Sequence, residues 1–191
     1  MVEPPPRERL VHATEMSLRR SGVAGSGLRG LVAEANAPWG SFRHYFPGGK
    51  DQLTAEAVTW AGDLAADRVR SYVTQSEAPT ARGLFAGLVD RWADDLERHD
   101  FALGCPIVGA VADGAEGGSA TQEASRRAVE LWCGAVTEAL STMGTPADAA
   151  PDLATTIFAC LEGAIITARA TGSAEPLRAV ERTLRPLLEP A

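Results

Sequence analysis

Residues 31 to 50 read LVAEANAPWGSFRHYFPGGK, and this stretch decides how the N-terminal part of the chain folds. Pro38 suits the first turn of a short helix, because proline needs no amide donor there and its φ angle is preset. We expect that helix to continue to about Tyr45, where Phe46-Pro47-Gly48-Gly49 ends it. The tight connection Asn36-Ala37 precedes it.

A second short helix is predicted immediately before this connection. Apolar residues Leu28, Leu31 and Val32 recur at helical spacing up to about Ala35, and Ser26 is placed to cap the helix. Two short helices joined by a brief turn are typical of a helix-turn-helix, whose second helix enters the major groove of DNA. A generic helical hairpin is the alternative.

The rest of the chain indicates an all-α protein of about nine helices. A first helix is predicted over residues 7–21, with Gly22 as its terminator, and a long connecting helix over residues 50–73. Further helical patterns follow, separated by breaks that contain glycine or proline, at about 80–98, 105–114, 120–143, 151–171 and 175–188. We therefore expect a helix-turn-helix domain over residues 1–50 and a larger helical domain over residues 51–191.

The two last helices carry broad apolar stripes, such as Ile157, Leu161 and Ile165 in the first of them. Stripes of this kind suit dimerisation. They suit closure of a monomer core equally well.

Charge is distributed unevenly along the chain. The net charge is −7, but residues 1–50 hold seven basic side chains and four acidic ones, a local charge of +3 that leaves −10 for the remainder. A basic head on an acidic body is typical of a DNA-reading module attached to a domain that does not bind DNA.

Several classes of protein find no support in the sequence. The three cysteines, Cys105, Cys133 and Cys160, lie far apart and lack a second ligand at metal spacing, so neither a disulfide framework nor a zinc site is expected. We expect no cofactor, no signal peptide and no apolar run that spans a membrane, and hence a cytoplasmic protein. An enzyme is not expected either, because metal spacing, a nucleophile elbow and a dinucleotide fingerprint are missing.

The motif from Leu31 to Phe46, followed by Gly48-Gly49-Lys50-Asp51-Gln52-Leu53, resembles the DNA-binding signature of the TetR family of regulators. Its start, Pro38-x-Gly40-Ser41, and its end, Phe46 to Lys50, are similar to the LmrA/YxaF-like subgroup. In the body, Gly104-Cys105-Pro106-Ile107 and Leu161-Glu162-Gly163-Ala164 resemble the same subgroup.

The resemblance implies a homodimer that binds double-stranded operator DNA, by default as a repressor. It implies that Ser26 and Lys50 hold phosphates and fix register without reading sequence. Sequence reading would fall to the short helix, with Tyr45 as a further backbone contact and Phe42 and Phe46 as core residues. The expected groove-facing residues are Pro38, Trp39, Ser41, Arg43 and His44.

Three positions depart from the family pattern. Arg43 replaces a phosphate-contacting Tyr, Tyr45 replaces a His, and Asn36 replaces a Gly in the turn. Arg43 can still bind phosphate or read a guanine edge, and Asn36 tolerates the left-handed conformation that Gly would adopt. The departures keep one alternative open, a dimeric helical protein that binds a small molecule but no operator.

Members of this family usually bind a small apolar or aromatic effector within the C-terminal helices. The resemblance therefore implies that residues 51–191 form an effector-binding and dimerisation domain, and this chain has residues there that suit such a pocket. Glu162 lies on an apolar face, where it would either orient a ligand or pair with a neighbouring group. Cys105, near a helix start, would be either a redox or electrophile sensor or a small packing residue, and packing is favoured. The predicted lining comprises Phe85, Val89, Trp92, Phe101, Cys105, Trp132, Val136, Phe158 and Glu162.

Overall fold

The structure is a computed structural model that describes residues 4–25, 27–113 and 118–189. Within these ranges the chain contains no strand. It forms nine α-helices and a terminal 3-10 helix: α1 (Pro6–Ser21), α2 (Leu28–Glu34), α3 (Trp39–Tyr45), α4 (Gly49–Gln75), α5 (Ala81–Arg98), α6 (Pro106–Ala112), α7 (Ser119–Thr142), α8 (Ala150–Thr171), α9 (Glu175–Leu184) and Arg185–Leu187. The all-α prediction is confirmed.

Helix ends differ from the predicted ones by few residues, and each larger difference has a local cause. The last helix was expected to reach residue 188, but α9 ends at Leu184 and a 3-10 turn follows. Pro186 lies within that turn, and proline has no amide hydrogen to extend an α-helical ladder. Similarly, Pro38 precedes α3 as its cap residue, with φ −63°, rather than occupying its first turn.

Helix α2 has a glycine at its N-terminal cap. The cap position is occupied by Gly27, with no side-chain cap hydrogen bond, and its carbonyl accepts from the amide of Leu31 at 3.0 Å. Ser26, the predicted cap, lies outside the described residues.

The described chain divides into two compact units. The first contains residues of Met1–Asp63 together with Cys105–Val129, and the second contains Leu64–Gly104 together with residues of Glu130–Ala191. The predicted boundary at residue 50 does not coincide with a boundary between these units, because the first unit extends to Asp63 and also includes α6 and the first part of α7. Helices α4 and α7 each begin in the first unit and end in the second.

Each unit has its own apolar core. In the first, the fully buried side chains include Leu10, Leu18, Leu31, Phe46 and Leu53. In the second, α5, α7, α8 and α9 contribute one continuous cluster that includes Phe85, Leu96, Leu140, Ile157, Ile165 and Leu177. Apolar stripes at helical spacing thus close a core in both units.

Helix α8 is also apolar and long enough to cross a membrane, with a mean hydropathy of 1.4 over its best window. This differs from the expectation that no run reaches that length. Its buried positions, among them Ile157 and Leu161, belong to the core of the second unit. Core helices satisfy the same length and hydropathy criteria, so the segment carries no argument for a membrane span.

Candidate nucleic-acid interface and effector region

Helix α3 presents most of its predicted DNA-contacting residues to solvent. Pro38, Trp39, Arg43 and His44 are exposed, and Ser41 is half-buried. Trp39 is 47% exposed, which is a large fraction for tryptophan because this residue type is highly buried on average. Four adjacent side chains are therefore available for contact with a groove.

The opposite side of α3 anchors it to the first unit. Phe42 and Phe46 are 4% and 1% exposed, and their ring centroids are 5.9 Å apart. Trp39 lies with its ring centroid 5.8 Å from that of Phe42, and the guanidinium of Arg7 lies over the ring of Phe46. The assignment of both phenylalanines to the core is confirmed, and their packing fixes α3 to the rest of the first unit.

The turn between α2 and α3 has the geometry that its sequence suggested. Asn36 has φ 46°, in the left-handed region that Gly adopts without strain and that Asn tolerates better than most residues. Arg9 of α1 donates to the carbonyl oxygens of Ala35, at 2.9 Å, and of Asn36, at 2.8 Å. A side chain from outside the motif thus holds the turn, a role that sequence reasoning missed because the contact is 26 or more residues away.

Lys50 has a structural partner in addition to its proposed phosphate. Its Nζ donates to the carbonyl oxygen of Val23 at 2.6 Å, so this amine ties the start of α4 to the turn after α1. An ammonium group has three donors, so one such bond leaves capacity for a phosphate oxygen. Tyr45 is half-buried, and its ring meets that of His44 edge-on with centroids 5.0 Å apart.

Two arginines of the α2–α3 pair have no hydrogen-bond or ion-pair partner in the part of the chain that the structure describes. Arg29, on α2, and Arg43, on α3, are exposed and form no ion pair or hydrogen bond there, whereas Arg7 pairs with Glu56 and Arg20 with Glu34. Uncompensated guanidinium groups suit phosphate oxygens. Arg29 was not among the predicted contacts, and its position at the start of the first helix of the pair could have suggested it.

The predicted effector residues lie almost entirely in the second unit. Phe85, Val89, Trp132 and Val136 are buried in its core, and Trp92, Phe101 and Phe158 pack against that core. The rings of Trp132 and Phe158 are 5.3 Å apart. The structure therefore brings seven of these side chains into one apolar cluster, where they also perform ordinary core packing.

The remaining two predicted effector residues differ from that cluster. Cys105 is buried and belongs to the first unit, at the cap of α6, where its thiol makes no cap hydrogen bond. Glu162 is half-buried, with its Oε2 atom shielded from solvent.

A second cysteine, Cys133, was not among the predicted effector residues. Burial raises the pKa of the Cys133 thiol, which lowers its thiolate population and its reactivity.

The second unit also has an open groove of about 170 Å³. Of the predicted effector residues only Phe85 lines it, so the groove is not the predicted pocket. Its other lining residues are Arg82, Arg178, Glu181, Arg182, Arg185 and Leu188. Among the described residues no group of His, Cys, Asp and Glu side chains could hold a metal ion.

Comparison with known proteins agrees with this geometry. Residues 83–183 match the C-terminal domain of LmrA/YxaF-like transcriptional regulators. An HTH-type transcriptional regulator of Mycobacterium tuberculosis is 33% identical over 96% of this chain and 94% of its own length, and the HTH-type transcriptional regulator LmrA of Bacillus subtilis is 26% identical over 96% of each chain.

The fold has close counterparts as well. A TetR transcriptional regulator from Legionella pneumophila superposes with a TM-score of 0.87, covering 99% of this chain and all of its own, at 18% identity. The chain therefore belongs to the TetR family of helix-turn-helix transcriptional regulators, within its LmrA/YxaF-like group.

Proposed function

We propose that this regulator is a cytoplasmic homodimeric repressor that binds a palindromic operator and releases it when a small apolar or aromatic effector binds to the second unit. The observation that carries the proposal is α3, whose aromatic anchors are buried while Trp39, Arg43 and His44 face solvent. A surface helix that exposes a Trp beside an unpaired Arg suits a DNA groove.

The proposed contacts divide into two kinds. Pro38, Trp39, Ser41, Arg43 and His44 would meet base edges, methyl groups or sugars in the major groove. Ser26, Arg29, Tyr45 and Lys50 would contact the phosphate backbone and fix register. Arg43 has the planar fork needed to meet guanine O6 and N7 together.

Dimerisation is assigned to α8, whose solvent-facing side suits a second copy of itself. Thr156, Ala159, Gly163, Ile166 and Ala170 are all exposed and recur at intervals of three, four, three and four residues. That spacing makes a seam along one side of a helix, and its small side chains allow a partner helix to approach closely. Ile166 is 54% exposed in the isolated chain, an apolar side chain that a partner would cover.

An interface test is direct. Gly163→Arg places a charged side chain on this seam, whereas Gly87→Arg places one on an exposed position of α5. We expect the first to give a monomer in light scattering after size-exclusion chromatography and the second to leave a dimer. A dimer in both variants would assign the interface to another surface.

Effector release would follow from symmetry and linkage. A two-fold dimer must present its two α3 helices about 34 Å apart, one turn of DNA, to occupy both half-sites. An effector that prefers another conformation of the protein would change that distance and lower the DNA affinity. Linkage requires the operator to lower effector affinity by the same factor.

The first experiment is selection of bound sequences from a randomised duplex library, followed by fluorescence anisotropy of the selected duplex over a salt series. We expect sequence-selective binding with a steep salt dependence, weakened in Arg43→Ala and Lys50→Ala. Failure to select any sequence, with the dimer intact, would instead support a small-molecule-binding protein that does not bind operators.

The effector half of the proposal has its own test. Compounds with an aromatic or aliphatic body are screened for release of the labelled duplex, and any that release it are titrated with and without operator. Effector affinity that is unchanged by operator would contradict coupled release.

A further inference from the structure

The segment from Cys105 to Val129, which contains α6 and the first part of α7, belongs to the same compact unit as the helix-turn-helix. In sequence it lies more than 50 residues after α3, within the part assigned to effector binding. Three direct contacts between this segment and the N-terminal helices explain why it packs there.

The first contact holds the turn after α1. The Oδ2 atom of Asp113, just beyond α6, accepts a hydrogen bond from the backbone amide of Ala24 at 3.0 Å. Gly22, with φ 68°, ends α1 at the same place, and a Cβ atom there would overlap the Asp113 carboxylate. The carboxylate therefore lies directly against the backbone that leads into α2.

The second contact is between backbones. A Cβ atom on Gly109 of α6 would lie 2.5 Å from the carbonyl oxygen of Leu18 in α1, closer than Cβ atoms approach. Only glycine allows α6 to pack so closely on the last turn of α1.

The third contact involves the start of α4. Asp51 accepts hydrogen bonds from the backbone amides of Ala120, at 3.2 Å, and Thr121, at 2.9 Å, and from the Thr121 hydroxyl at 2.7 Å. Its neighbour Lys50 donates to Val23 in the turn after α1. Two consecutive residues thus connect that turn to the first turn of α7.

We propose that Asp113 and Asp51 are positioning residues for operator binding: they hold the turn after α1 and the start of α4 on the 105–129 segment, so that this segment sets the orientation of α2 and α3. The inference rests on the proposed function, because it concerns DNA affinity. Neither carboxylate needs to touch DNA for this role.

The physical basis is that charged acceptors hold backbone donors more firmly than water does. Hydrogen bonds to a carboxylate are roughly twice as strong as neutral ones. Ala24 is exposed, so its amide can bind water when the Asp113 carboxylate is removed, and we expect the substituted protein to fold. What the substitution removes is the fixed position of the turn, and DNA readout depends on position to a fraction of an ångström.

The test compares Asp113→Ala with Asp113→Asn, which keeps an acceptor oxygen, and with Asp148→Ala, an exposed aspartate in the loop before α8. Thr121→Val provides a second, nearly isosteric variant that removes one bond to Asp51. Each protein is measured by operator anisotropy, by amide hydrogen exchange of residues 22–25 without DNA, and by thermal unfolding.

We expect Asp113→Ala to raise the operator Kd by about tenfold, because a turn that is no longer held in the free protein must be ordered when DNA binds. Exchange at residues 22–25 should accelerate while the unfolding temperature changes little. Asp113→Asn should recover most of the affinity, Thr121→Val should lose less, and Asp148→Ala should match the wild type in all three measurements.

Two results would overturn the proposal. Unchanged exchange in Asp113→Ala would show that the carboxylate does not hold the turn, and faster exchange with unchanged Kd would show that the turn does not set DNA affinity. A wild-type protein that binds no duplex would instead contradict the proposed function, since the exchange measurement needs no DNA.

Discussion

Helix α3 and the core of the second unit both carry aromatic side chains, but in opposite settings. On α3, Trp39 is 47% exposed, whereas Trp132 in the second unit is 5% exposed. An aromatic side chain that is half exposed beside exposed basic residues such as Arg43 suits contact with a partner. A buried aromatic serves packing whether or not a ligand also touches it. The comparison shows why the exposed residues of α3 support a proposal of DNA contact, whereas buried aromatic residues alone do not support an effector pocket.

The largest expected effect on stability comes from replacing one aromatic residue in each setting with alanine. Phe85→Ala should lower the free energy of unfolding by roughly 3–5 kcal/mol, because it empties a buried site. Trp39→Ala should change it by less than about 0.5 kcal/mol and should weaken operator binding instead. Urea unfolding and anisotropy separate the two. A Trp39→Ala protein with normal DNA affinity would break the comparison on the α3 side.

A second prediction concerns Arg43. Arg43→Ala should cost about 1–3 kcal/mol of operator binding, or roughly 5- to 150-fold in Kd. Arg43→Lys should recover the part that depends on charge but not a bidentate base contact. Arg91→Ala, an exposed arginine of α5, is the matched control and should bind as the wild type does. Full recovery by lysine would reduce Arg43 to a phosphate contact.

A third prediction tests the turn between α2 and α3. Asn36 has φ 46°, where an alanine costs about 1–2 kcal/mol. Asn36→Ala should therefore lower the urea midpoint, and Asn36→Gly should stay within about 0.5 kcal/mol of the wild type, because Gly adopts this region freely. Equal stability of both variants would mean that the turn does not need a left-handed residue.

The smallest expected effect is on the acid side of the stability profile. Burial raises the pKa of Asp51, but hydrogen bonds from the Thr121 side chain and from the amides of Thr121, Ala120 and Gly118 outweigh it, and the pKa lies below its usual 3.8. The ionised Asp51 carboxylate therefore stabilises the folded protein fully above pH 3.8, its usual pKa, and this stabilisation is lost as pH falls through the lower pKa of the folded state. The difference in urea midpoint between the wild type and Asp51→Asn should be constant from pH 7 to 5 and should shrink below pH 4. A constant difference at all pH values would contradict this.

Sequence predicted the nine helices because their signals are local: Gly22 after α1, Pro38 before α3 and apolar stripes at helical spacing. The core roles of Phe42 and Phe46 and the tolerance of Asn36 for a left-handed conformation were expected from the motif that resembles the family signature, and both agree with the structure. The contacts that join distant segments were not predicted. Arg9 on Ala35, Asp113 on Ala24 and Asp51 on Thr121 depend on how helices pack, and no local pattern marks those residues. The assignment of α6 to the first unit follows from those contacts.

The placement of the four tryptophans, Trp39, Trp60, Trp92 and Trp132, makes the protein its own spectroscopic reporter. Trp39, on the helix proposed to enter the groove, should emit at the long wavelengths of a hydrated indole and shift when duplex DNA covers it. Trp132, beside Phe158, should emit at shorter wavelengths and resist quenching by iodide. When the other three tryptophans are replaced by Phe, a protein that keeps Trp39 reports on the proposed DNA-binding helix. A protein that keeps Trp132 reports on the core of the second unit, where the effector is proposed to bind, and neither needs an attached dye.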